Sequence, residues 1–244
     1  MNKQVILLIV SLSVFASCGL HKNKPQNSNE SITHIDNTKH NDISFLVHLN
    51  KGVSFNHPTY AVWIEHLDGD FIHTIFVTRS YVTGKYAHAH IDGYRWDADS
   101  GISIRPASLP YWKHKATKTF QGNSVIDAVT GATPPGSAVI SAHTPNSMQK
   151  FRVLVEVNQS WDSNNYWTNN KYPQNFEYKT SCQPSLVYAA TVNLNSKLDT
   201  VYLNPIGHGH YAGEDGELYT DLRTFTTALD IFESIYVQLK NEKK

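Results

Sequence analysis

Two stretches of the chain alternate apolar and polar residues with a period of two, and nothing else in the sequence restricts the fold as strongly. Ile43, Phe45, Val47 and Leu49 form the first; Phe151, Val153, Val155 and Val157 form the second. Successive side chains of a strand point to opposite faces, so each run offers one apolar face and one polar face. Tyr60–Glu65 and Phe71–Thr78 flank Leu67-Asp68-Gly69-Asp70, a turn signal that predicts a hairpin. Leu186–Leu194, Thr200–Leu203 and Ile231–Leu239 extend the set. The sequence predicts an all-β chain, an antiparallel immunoglobulin- or fibronectin-like β-sandwich with long loops and one short helix. That helix is expected over Leu222–Asp230, with Asp221 as its cap.

The least regular part is Ser80–Gln121. It holds Arg105-Pro106-Ala107-Ser108-Leu109-Pro110-Tyr111-Trp112, whose prolines exclude a central strand. A loop or short helical turn packed by Trp112 is expected there.

The beginning of the chain bears on compartment. Lys3 is followed by the mostly apolar Val5–Phe15 and then by Phe15-Ala16-Ser17-Cys18. This pattern predicts a secretory signal peptide over residues 1–17, too short in its apolar part to span a membrane as a helix. The Ala-Ser-Cys ending resembles a bacterial lipobox. The resemblance implies lipidation of Cys18, a membrane anchor, and a cell-envelope location on the periplasmic or extracellular side. Cys18 and Cys182 are the two cysteines, so an acylated Cys18 leaves Cys182 as an unpaired thiol, expected to be structural. Residues 21–41 are almost wholly Asn, Lys, His, Ser, Thr and Gln. Such a segment buries too little to fold, and residues 18–41 are expected to form a disordered tether reaching roughly 25 Å. A single sandwich domain is expected over 42–244. The 21 Lys and Arg balance the 21 Asp and Glu, with no basic run, which argues against nucleic acid as a partner.

Asp127-Ala128-Val129-Thr130-Gly131-Ala132-Thr133-Pro134-Pro135-Gly136 is the most specific motif. Gly131 lets the backbone turn, Ala132 adds little bulk, and Pro134 pushes Thr133 towards an extended conformation. Asp127 can hold the N–H groups of the following turn. Without any resemblance, the segment is an ordinary connection between strands. Its Asp-x-x-Thr-Gly-Ala-Thr core resembles the acceptor motif of extracytosolic flavinylation, carried here by Asp127, Thr130, Gly131, Ala132 and Thr133. That resemblance implies FMN esterified through its phosphate to Thr133 by a flavin transferase.

A wider resemblance rests on Tyr60–Glu65, Arg105–Trp112, Asp127–Gly136, Gln183–Ala190, Gly207-His208-Gly209 and Leu222–Ile231, in that order. Together they are similar to the predicted periplasmic proteins grouped as domain of unknown function 2271, across essentially the whole mature domain. Members are similar to proteins encoded beside flavin transferases and membrane electron-transfer components, which implies a redox setting. In the FMN carriers of ion-pumping reductases the motif sits in a mixed α/β domain, and Pro-Pro-Gly does not follow it. Only the acceptor sequence carries over from them.

Other constellations point less sharply. His88 and His90, with His208 and His210, are two pairs that a tetrahedral metal site would need, but no spacing rule brings them together. No stoichiometric transition metal is expected. His210–Glu217 has the composition of a calcium loop without its alternation of oxygen ligands, and a polar hairpin is expected instead. Trp161, Tyr166, Trp167, Tyr172, Phe176 and Tyr178 crowd a polar segment. They either anchor a long loop or stack on a ligand ring, and the second alternative makes the chain a cell-envelope binding module for a glycan or protein. No Gly-x-Ser-x-Gly elbow is present, and an electron carrier or binding protein is expected rather than an autonomous enzyme.

Overall fold

The period-two stretches pack as two sheets around one shared core. The computed structural model describes residues 32–36, 45–93, 95–119, 129–144 and 148–239. In chain order the strands begin with β1 (Thr33–Asp36), β2 (Phe45–Lys51), β3 (Thr59–Glu65) and β4 (Phe71–Thr78). A short helix α1 (Arg79–Thr83) leads into four two-residue strands: β5 (Lys85–Tyr86), β6 (Ile91–Asp92), β7 (Arg95–Trp96) and β8 (Gly101–Ile102). Then come α2 (Pro110–Thr119), β9 (Val129–Gly131), β10 (Ala138–Ala142), β11 (Lys150–Asn158) and α3 (Phe176–Ser181). β12 (Leu186–Asn193), β13 (Thr200–Tyr202), β14 (Asn204–His208) and β15 (Phe232–Leu239) complete the chain.

The first sheet has the order β1-β10-β2-β15-β13, and the second β14-β12-β11-β3-β4-β9. Phe45, Val47 and Leu49 of the first face Tyr60, Val62, Val153 and Val155 of the second, all buried. The inner faces are those that the alternation picks out. The expected hairpin forms between β3 and β4, with Gly69 at a φ of 96°, a conformation that favours glycine. His66 N–H closes it on the Asp70 carbonyl at 2.8 Å.

Three expectations need correction. The sheets are not wholly antiparallel: β1 runs parallel to β10, and β9 parallel to β4. Parallel neighbours need a long crossover, and the whole 79–119 excursion separates β4 from β9. Part of the expected tether is structured, since Thr33–Asp36 pairs with Ala138–Ser141 and Ile35 packs on the core. One apolar side chain and an available sheet edge suffice for a short strand. Finally there are three α-helices among the described residues, and none covers Leu222–Asp230. There the chain makes only a 3-10 turn, Thr227–Asp230. Asp221 accepts from Arg223 N–H at 3.1 Å and pairs with its guanidinium, while Thr226 N–H goes to Gln183 Oε1 at 2.9 Å. Asp221 thus makes a local turn, but a distant residue, Gln183, takes the Thr226 donor and the helix does not propagate.

A third layer covers the outer face of the second sheet. Leu109, Tyr111, Trp112 and Ala116 pack over Trp63, Leu154 and Val187. Trp112 does pack the segment, as the sequence leads one to expect, but on a ten-residue helix. Its indole N–H reaches Thr74 Oγ1 at 2.9 Å.

Candidate functional site

The acceptor segment begins as the terminal strand of the second sheet. Val129, Thr130 and Gly131 stand opposite Phe76, Val77 and Thr78 in parallel register. Gly131 lies over the Phe76 ring, where a Cβ would meet Cε2 at 3.2 Å. Past the strand, Ala132 is exposed and Thr133 partly exposed, while Pro134 is buried. The Thr133 hydroxyl has no hydrogen-bond partner among the described residues. Pro134 thus fixes the segment just beyond an accessible hydroxyl. Asp127 lies outside the described residues, as do Cys18 and the expected signal peptide. Among the described residues no helix is long and apolar enough to cross a membrane.

Parallel register has a consequence for charge. Because β9 follows the direction of β4, its last residue, Gly131, stands opposite Thr78, where the first turn of α1 begins. Arg79 opens that helix, and its guanidinium donates to the Thr130 carbonyl at 3.2 Å. An exposed cation therefore sits against the backbone of Thr130, three residues before Thr133. Sequence reasoning missed Arg79, because no local signal foretells a parallel pairing across fifty residues.

Under α2 lies a different polar cluster. Glu156, fully buried on β11, accepts from Tyr111 N–H at 3.2 Å, Trp112 N–H at 2.7 Å and the Ser185 hydroxyl at 2.6 Å. It caps α2 from another strand. Gly209 presses against the same spot: a Cβ there would meet Pro110 Cγ at 2.5 Å and Ser185 Oγ at 2.7 Å. Arg105–Trp112, Gln183–Ala190 and Gly207–Gly209 thus converge on Glu156. Burial raises its carboxyl to about 7, against the hydrogen bonds that pull it down. On the same face Glu65 accepts from the Trp63 indole at 2.9 Å and pairs with Lys115 at 2.9 Å and Arg152 at 3.1 Å. Both carboxylates are closed in by protein partners, an arrangement suited to holding a helix rather than to proton transfer.

The histidine pairs stay apart from any ligand set. His88 and His90 lie in an irregular stretch rather than on a strand face. The His88 ring meets the Asp97 carbonyl at 2.5 Å, and His90 N–H reaches Asp97 Oδ1 at 3.3 Å. His208 stacks on Tyr219, with centroids 5.3 Å apart, and burial lowers its pKa. His210 Nδ1 accepts from Ala212 and Glu214 N–H groups at 3.2 and 3.3 Å. No group of three or more His, Cys, Asp or Glu that could hold a metal ion occurs among the described residues. The 210–217 stretch is a polar loop closed by the His208–Tyr219 bridge, with Asp215 bonded to Glu217 N–H and the Tyr219 hydroxyl.

The aromatic segment divides. Trp167 and Tyr178 are buried anchors, and Tyr178 donates to the Thr168 carbonyl at 2.5 Å. Tyr166 and Phe176 are exposed. Tyr172 stacks on Tyr211 at 4.1 Å, joining this loop to the histidine loop. Cys182 is buried, and burial pushes its thiol up to about 12, which suits a structural residue. No family model matches the chain, and neither a curated protein nor a solved structure matches it.

Proposed function

We propose that this chain is a lipid-anchored extracytosolic flavoprotein on an immunoglobulin- or fibronectin-like sandwich, with FMN held covalently on Thr133. Its partners are a flavin transferase and membrane electron-transfer proteins, and Cys18 carries the anchor. The observation that supports the reading is the setting of the motif. Thr130-Gly131-Ala132-Thr133 runs off a terminal strand into an exposed segment, with Arg79 beside it to offset a phosphodiester charge. The attachment balances as a phosphoryl substitution. Thr133 Oγ attacks the flavin-side phosphorus of an activated flavin dinucleotide, the P–O–P bond breaks, and a nucleoside monophosphate leaves. The hydroxyl proton goes to a base of the transferase. Covalent attachment keeps the cofactor in a compartment from which a free flavin would be lost, and the flavin supplies the redox chemistry.

Exported protein co-produced with an active transferase should gain the mass of FMN less one water, located on the Thr133 peptide. Thr133→Ala should abolish the adduct, and Thr133→Ser should retain part of it. A wild-type chain that stays unmodified beside a transferase active on another substrate would refute the reading.

A second reading has its own observation. Tyr166 and Tyr219 are exposed around the Tyr172–Tyr211 stack, a surface suited to a sugar ring. In that case the chain is an envelope binding module without redox function. Glycan-array binding lost in Tyr166→Ala, by protein free of flavin, would favour it.

A further inference from the structure

The excursion between β4 and β9 contains an unusual concentration of unanswered donors. Six buried side-chain polar atoms lack a hydrogen-bond partner among the described residues, and four of them belong to Tyr81, Tyr86, Trp96 and Trp161. The other two are Tyr188 Oη and Asp162 Oδ2, the latter on a carboxyl bonded to Thr227. Tyr86, Trp96 and Trp161 form one contiguous group around Arg105, while Tyr81 packs edge to face on Trp112 at 6.0 Å. The Arg105 guanidinium carbon lies 3.5 Å from the centre of the Tyr86 ring and 3.7 Å from that of Trp96. Trp96 meets Trp161 edge to face at 5.7 Å. The Ser80 hydroxyl lies near Tyr86 Oη, and burial keeps the Tyr86 phenol protonated.

Arg105 itself is uncompensated. Its N–H groups reach the His88 carbonyl at 2.6 Å and Ser103 Oγ at 3.3 Å, both neutral, and no carboxylate pairs with it among the described residues. Stacking between two rings offsets part of the cost of holding a cation there. It does nothing for indole N–H groups, which can only donate. Buried polar groups normally find partners, so two donor-only indoles and a phenol left without one, beside a cation, suit an acceptor-rich, anion-forming group. Purely structural packing would favour apolar rings at these positions, since each unmet donor costs free energy.

Topology connects this cluster to the acceptor hydroxyl. Thr130, three residues before Thr133, meets Arg79 at the start of α1, and Tyr86 lies three residues after Thr83 ends that helix. A helix of five residues is only about 7–8 Å long, a span on the scale of the ribityl phosphate arm of FMN. We propose that the Tyr86–Arg105–Trp96–Trp161 cluster receives the ring system of the flavin carried on Thr133. Its donors face the carbonyl and N1 edge, and Arg105 offsets the charge formed there on reduction. The inference rests on the flavin reading given above. Two electrons and one proton convert the oxidised ring to the anionic hydroquinone, whose negative charge lies on the N1–C2 carbonyl edge. A cation at that edge favours the reduced form. Docking opens the indole pair to the ring, so the edge-to-face Trp96–Trp161 contact rearranges.

The test uses the full chain, exported and matured with an active flavin transferase, in wild-type, Arg105→Met, Arg105→Lys and Trp96→Phe forms. Two readouts serve: the flavin midpoint potential by dithionite titration, and tryptophan emission relative to flavin-free Thr133→Ala. Arg105→Met should shift the reduced-to-oxidised equilibrium about tenfold towards oxidised, about 30 mV lower for a two-electron couple. Arg105→Lys should retain part of the shift in potential. In the wild type the flavin should quench tryptophan emission, and Trp96→Phe should remove part of that quenching while leaving the fold intact. If Arg105→Met does not fold, Trp96→Phe alone decides. Flavin that is attached, but with unchanged potential and quenching in every folded variant, overturns the docking inference and leaves the flavin reading standing. A wild-type chain that never carries flavin overturns both.

Discussion

Glu156 is fully buried and Arg105 half-buried, and these two ionisable side chains are treated in opposite ways. The Glu156 carboxylate is met by two backbone N–H groups and a hydroxyl, all within 3.2 Å. Arg105 is met by rings and neutral oxygens, and the donors around it point at nothing that accepts. The difference separates a cluster whose polar groups are met within the fold from one whose donors are not. A saturated buried charge contributes by leaving no orphan when all its partners are present. An unsaturated one lowers stability unless a ligand completes it.

The comparison is tested most severely at Glu156. Glu156→Ala should strand two N–H groups of α2 and the Ser185 hydroxyl, and loosen the layer over Trp63 and Leu154. A loss of about 3 kcal/mol in urea unfolding is expected. A loss below about 1 kcal/mol would mean that α2 is held by apolar packing alone and that the two clusters are not so different.

Acidity gives a second handle on the same residue. Burial raises the folded-state Glu156 carboxyl from its ordinary 4.5 to about 7. Between these values the folded chain keeps a proton that the unfolded chain has lost. The resulting stabilisation is complete below about pH 4.5 and is lost as the pH rises through about 7. Its size is on the order of 2–3 kcal/mol. Glu156→Gln should flatten that slope in denaturant midpoints measured from pH 5 to 8. An unchanged slope would assign the dependence to another group.

How much of this was legible in the sequence depends on the range of the interactions. The period-two pattern located β2 and β11, and apolar runs between turn signals located β3, β4, β12, β13 and β15, all to within about two residues, because both are local records of burial. The Asp68-Gly69 turn was legible for the same reason. The acceptor segment was visible as a motif, but its place beside β4 and Arg79 depends on a parallel pairing that leaves no local trace. Leu222–Asp230 misled, because Gln183, distant in sequence, takes the N–H of Thr226. Glu156 reads as one polar residue in an apolar run. Only the docking of α2 reveals why it is there.

Arg105 should respond more weakly than Glu156 in the flavin-free chain. Arg105→Met removes a cation–π sandwich and two bonds to neutral acceptors, and it leaves no buried anion behind. A cost of about 1 kcal/mol is expected, from the lost stacking and the two acceptors set free. A loss as large as that of Glu156→Ala would identify the stack as a structural anchor for the 85–105 excursion. The contrast drawn between the two clusters would then fail.

Thr133→Ala should have the smallest effect on stability. The hydroxyl has no partner among the described residues, and the side chain is already partly exposed. Removing it strands no donor and opens no cavity, so the unfolding midpoint should move by no more than about 0.5 kcal/mol. Pro134, buried next to it, keeps the local backbone in place whichever side chain stands at 133. A measured loss near 2 kcal/mol would place Thr133 among the residues that hold the second sheet together. A residue under that structural demand is a poor substrate for a transferase, which must draw the acceptor hydroxyl into its own active site. Near-neutral stability with a complete loss of the flavin adduct is the joint outcome expected of an acceptor. An ordinary connection between strands would give the first without the second.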